Sequence, residues 1–86
     1  MTSKQKKLHI DSIINIIKEV GFTEDRYGNY KKTCGFDDGE REYRIKIMKN
    51  NLRREVKSGK MWVKLQSVPL VKIDLEQFKA FMNIYR

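Results

Sequence analysis

The chain has 86 residues, enough for one domain with a single hydrophobic core and too few for two. Nineteen Lys and Arg against eleven Asp and Glu give a formal net charge of +8, which points to an acidic partner, nucleic acid first. One cysteine, Cys34, excludes an intramolecular disulfide, and one histidine cannot build a metal site with it unaided. The basic start MTSKQKKLHIDS leads into no apolar run long enough for a signal peptide or a membrane span. These features read as a single cytoplasmic domain over residues 1–86, residues 1–7 forming a basic arm, with no cofactor, metal or membrane expected.

In chain order, Ser3 stands where it can cap a helix running to about Val20. Ile10, Ile13, Ile14, Ile17 and Val20 recur at steps of three and four, which stacks them on one side of that helix, and Ile16 widens the stripe. Gly21 occupies the left-handed C-terminal cap position and Phe22 the place of the apolar residue that folds back on the last turn. Lys4, Lys6 and Lys7 lie at the end where the helix dipole favours negative charge, so they serve a basic arm better than the helix. Thr23–Gly28 reads as a loop and Asn29–Phe36 as a strand with Tyr30 and Cys34 on its apolar side. Lys31 joins the polar side. Lys32 falls against the pattern and is assigned to a sheet edge, where a charge discourages further pairing.

Residues 41–66 carry the strongest signal. Tyr43, Ile45 and Ile47 alternate with Arg44, Lys46 and Met48, and Leu52 and Val56 alternate with Arg53, Glu55 and Lys57. Met61, Val63 and Leu65 then alternate with Trp62, Lys64 and Gln66. An even-length loop around Asp37–Glu40 and two-residue turns at Asn50-Asn51 and Ser58-Gly59 pair Cys34 with Tyr43, Lys49 with Leu52 and Lys57 with Lys60. Trp62 then lies opposite Glu55. One face becomes aliphatic apart from Arg54, which needs an exit to the rim, a carboxylate such as Asp11 or Glu76, or a bulge. Ser67–Val71 reads as a connection because Pro69 cannot donate in a central ladder. A second helix starts at Asp74, with Gln77 at capping-box spacing, and its stripe Leu75, Phe78, Phe81, Met82, Tyr85 reaches the chain end.

The expected fold is therefore α+β, a two-layer α-β-β-β-β-α domain in which both helices pack on one face of a four-stranded antiparallel meander. The other face stays open and carries Lys31, Arg44, Lys46, Arg53, Lys57, Lys60 and Lys64 against Glu42 and Glu55. Such a cluster can neutralise phosphates and release counterions, and Trp62 among the cations can stack on an unpaired base. The order helix, strands, helix resembles the double-stranded RNA-binding domain, which implies a basic start to the last helix where this chain has Asp74-Leu75-Glu76-Gln77. Ile13–Tyr30, IINIIKEVGFTEDRYGNY, resembles the opening of HicA-type toxins, which implies a histidine where Asn29, Tyr30 and Lys31 stand. No site is carried over from either family.

Catalysis has little to build on. His9 has no nucleophile or carboxylate at a telling spacing, and the carboxylates are scattered in turns and caps. The reading is a small non-catalytic module that binds RNA, DNA or a nucleoprotein through Lys31, Arg44, Lys46, Arg53, Lys57, Lys60, Trp62 and Lys64, as a monomer or weak dimer. The alternative is a protein-binding regulator or inhibitor that docks the same face on an acidic protein; the Lys-, Ile- and Asn-rich composition suits a phage or mobile element. A third reading is a subunit that dimerises through an open sheet edge or face.

Overall fold

A computed structural model describes residues 2–86. It is an α+β chain with helix α1 at Ser3–Glu19, strands β1 (Thr23–Glu24), β2 (Tyr30–Phe36), β3 (Gly39–Ile47), β4 (Asn51–Ser58) and β5 (Met61–Pro69), and helix α2 at Leu75–Met82. The strands form one antiparallel sheet in the order β1-β2-β3-β4-β5, a simple meander. The sheet thus has five strands where four are expected, because Thr23 and Glu24 pair with Lys31 and Tyr30 in a two-residue strand too short to show a period. Short 3-10 turns at Leu70–Lys72 and Asn83–Tyr85 flank α2.

Local chemistry sets the helix ends. Thr2, not Ser3, is the N-cap of α1: its hydroxyl accepts from the Gln5 N–H, and the Gln5 side chain accepts from the Thr2 N–H, a complete capping box. Lys4, Lys6 and Lys7 consequently lie in the first turns of a helix; Met1, the first residue of the expected arm, lies outside the described residues. At the other end Gly21 (φ 106°) donates to Lys18 and Phe22 donates to Ile17, the paired bonds of a left-handed helix terminus. The Asp74 carboxylate caps α2 by accepting from the Gln77 N–H at 3.0 Å.

Every hairpin is offset from expectation by two residues in its pairing, so the strand side chains keep their faces as far as the bulge at Leu65. Cys34 pairs with Arg41 and not Tyr43, Ile47 pairs with Leu52, and Lys57 pairs with Trp62 and not Lys60. The loops are Asp37-Asp38, Lys49-Asn50 and Gly59-Lys60. In the last, Gly59 takes φ 62° at the first loop position, where a hairpin turn that follows the sheet twist needs a positive angle. A bulge opposite Arg54 and Glu55 makes Leu65 the extra residue and turns Gln66 toward the Arg54 side, against the expected face. Residues 67–69 continue β5 rather than forming a connection, which Pro69 permits because β5 is an edge strand.

Ile13, Ile17, Phe78 and Met82 from the helices form one buried cluster with Tyr30, Cys34, Ile45 and Leu52 from the strands, together with Leu70 and Tyr85. Ile13, Ile17, Ile45, Leu52, Leu70 and Met82 are fully buried, each worth about 1.5–3 kcal/mol of removal from water. The two misfit cations have distinct solutions. Lys32 is not spent at the sheet edge: its ammonium donates to the carbonyls of Val20 and Tyr85, tying together the C-terminal ends of the two helical segments. Arg54 reaches the rim, where it donates to the Tyr85 hydroxyl at 2.6 Å and to the Gln66 amide oxygen at 3.1 Å, with its guanidinium 4.6 Å from the centre of the Phe81 ring. Burial pushes the Tyr85 phenol up from its ordinary value, and Arg54 partly opposes that rise.

Candidate nucleic-acid interface

Of the residues singled out for polyanion binding, all but Lys60 come from the four long strands, and the ladder brings these seven onto one face. Lys31, Arg44, Glu55 and Lys64 form one row across β2, β3, β4 and β5; Thr33, Glu42, Lys57 and Trp62 form the next, and Lys46, Arg53 and Ser67 a third. With strands about 4.8 Å apart, the first row spans roughly 14 Å. Lys60 lies in the Gly59-Lys60 turn, exposed at the end of the same hairpin.

The centre of the face is tied together more tightly than its periphery. Glu55 is only 3 % exposed, although the sheet face around it is polar. Its carboxylate accepts from Arg44 Nε at 2.7 Å, and Arg53 Nε stands 3.3 Å from its second oxygen. The Arg53 Nε is buried without a well-aligned acceptor, so that contact is an electrostatic pairing and not a formed hydrogen bond. Trp62 packs against the surrounding cations. Its ring centre lies 4.3 Å from the Arg44 guanidinium and 5.7 and 6.0 Å from the ammonium groups of Lys31 and Lys57, within the range of cation–π attraction. The indole is half-buried, and one of its neighbours is already a stacked cation.

Around this knot the ion pairs are looser. Lys57 stands 3.7 Å from Glu42, and Lys31 stands 3.4 Å from Asp25. The Lys57 pair lies at the surface, where such contacts contribute little and exchange readily for another anion; the Asp25 oxygen that faces Lys31 is buried. Among the described residues Lys46, Lys60 and Lys64 have no carboxylate partner. Asp25 itself closes the β1–β2 turn by accepting from the N–H groups of Tyr27 (2.8 Å) and Asn29 (3.0 Å). Burial pushes its carboxyl up, but those two donors and Lys31 outweigh that and hold it below the usual carboxylate range.

Two features here escape a reading of the sequence alone. Glu55 looks like an ordinary exposed strand carboxylate, and nothing in its local sequence marks it as buried. Asp25 sits in a segment without periodicity, although an aspartate two and four residues before a turn's N–H groups is a known local acceptor pattern. Among the described residues no group of three His, Cys, Asp or Glu is placed to hold a metal, and no helix is long and apolar enough to cross a membrane. No protein-family model, curated protein or solved structure matches this chain.

Proposed function

We propose that this chain is a small non-catalytic cytoplasmic module that binds nucleic acid through the basic face of its sheet. In this reading α1 and α2 cover the same face, the one bearing Ile45 and Leu52, and leave the other free. The contact between the helices and their shared cluster with those strand residues support that arrangement. The observation that carries the function is the concentration of charge: six cations stand on one face against Glu42, Glu55 and, beside Lys31, Asp25, a seventh cation, Lys60, lies in the turn at its end, and Lys46, Lys60 and Lys64 lack any carboxylate among the described residues. Phosphates would displace the surface pair of Lys57 and engage the three unpaired lysines. Arg44 and Arg53, neutralised in part by Glu55, shape the centre. Trp62 holds Arg44 in place in this account, and its ring is not a free platform for a base.

Three to five phosphate contacts imply that log K for a duplex falls with log salt at a slope of about −2.7 to −4.5, roughly forty- to five-hundredfold between 50 and 200 mM salt. The test is binding to labelled duplex and single-stranded RNA and DNA across that range, with the triple variant Lys46→Glu, Lys60→Glu, Lys64→Gln beside the parent; Gln at 64 avoids setting a second carboxylate opposite Glu55. The expected result is salt-steep binding by the parent, no preference for unpaired bases, and loss of binding in a variant that keeps its fold. Absence of binding at low salt would refute the reading and turn attention to an acidic protein partner for the same face.

A further inference from the structure

We propose that the free edge of β5 pairs antiparallel with β5 of a second copy of this chain, about a two-fold axis at Val63, joining two five-stranded sheets into one. Among the described residues β5 pairs only with β4, so its outer backbone groups have no strand partner. Met61, Val63 and Leu65, on the face that elsewhere forms the core, are 72 %, 46 % and 46 % exposed. The inference is independent of what the basic face binds.

Charge selects the register. A two-fold axis perpendicular to the sheet keeps each face on its own side, so only residues of one face oppose each other. With the axis at Val63, Met61 faces Leu65 of the second copy and Trp62 faces its Lys64, an apolar strip on one side and no like charges opposed on the other. Moving the axis to Lys64 sets lysine against lysine, and moving it to Trp62 sets Lys60 against Lys64. The Leu65 bulge ends the flat stretch, which limits pairing to residues 61–65. A contact that short falls below the ~1,200 Å² of a stable interface, so the dimer is concentration-dependent. Two chains of net charge +8 repel, and salt screens that repulsion; self-association therefore strengthens with salt, opposite in sign to polyanion binding.

Sedimentation equilibrium of the whole chain, from micromolar to millimolar and at low and high salt, reads this directly. A monomer–dimer equilibrium that tightens with salt, and that Val63→Lys weakens at least several-fold, is expected. Val63→Cys, oxidised at high concentration, should form a disulfide dimer, since residues facing across an antiparallel pair lie within bridging distance; Lys57→Cys should not. A monomer at every concentration, a dimer indifferent to Val63→Lys, or equal cross-linking of the two cysteine variants would each overturn the proposal. The cross-linking arm keeps it testable where Val63→Lys fails to fold.

Discussion

Glu55→Gln isolates the charge that organises the basic face. The substitution keeps the shape of a side chain that is 3 % exposed, and it removes the counter-charge for Arg44 at 2.7 Å and Arg53 at 3.3 Å. Breaking a fully buried pair costs roughly 3–5 kcal/mol, because the remaining charge cannot return to water. Here the Arg44 and Arg53 side chains are 16 % and 35 % exposed and can recover part of their hydration, and Gln can still accept one N–H. The expected loss is therefore about 2 kcal/mol. In a chain of 86 residues that lowers the melting temperature by roughly 8–16 °C. Urea denaturation followed by far-UV circular dichroism measures it, with an unchanged slope showing that the folded and unfolded ensembles keep their exposure. Fluorescence of Trp62, the sole tryptophan, reports on the same network. The face also gains one net positive charge, so affinity for a polyanion should rise as stability falls. A stability change below about 0.5 kcal/mol, the level of ordinary surface substitutions, would refute the idea that Glu55 holds the two guanidinium groups in a desolvated knot.

Gly21→Ala should cost about 1–2 kcal/mol: φ is 106°, and a new Cβ would stand 3.1 Å from Lys32 Nζ, so thermal unfolding should shift clearly downward. Lys32→Met should cost about 1–3 kcal/mol by leaving the Val20 and Tyr85 carbonyls without their donor, and amide exchange should quicken first at the last turn of α1 and near the chain end. Asp25→Ala should destabilise the β1–β2 turn at neutral pH. Because the folded carboxyl titrates below its ordinary value, its contribution is full above the usual carboxylate range and is lost as pH falls through the depressed folded value. The gap between parent and variant melting temperatures should therefore close on acidification; a gap that persists would contradict that assignment.

Much of the architecture is written in periodicity. The alternation of Tyr43, Ile45 and Ile47 with Arg44 and Lys46 assigns faces regardless of where the turns fall, because a two-residue offset restores parity. Gly21 and Phe22 mark the end of α1 through a backbone requirement that few other residues meet. What escaped was decided elsewhere. The positions of the hairpin loops depend on which neighbours of Asn50 and Gly59 bend, and several choices are nearly equal in local chemistry. The Leu65 bulge and the short β1 exist only as pairings with other strands. Lys32 breaks the apolar pattern because its partners, the carbonyls of Val20 and Tyr85, are brought to it by tertiary packing. The same holds for the site: its cations are legible one by one, but the burial of Glu55 between Arg44 and Arg53 depends on pairing between strands.

The most direct test of the basic-face account is an amide-resolved NMR titration with a short nucleic-acid duplex at low salt. The account predicts shifts concentrated on β2 to β5 around Lys31, Arg44, Lys57 and Lys64, including the Trp62 indole N–H, and their reversal on adding salt. Shifts confined to the Lys4–Lys7 turn of α1, or none at all, would contradict it.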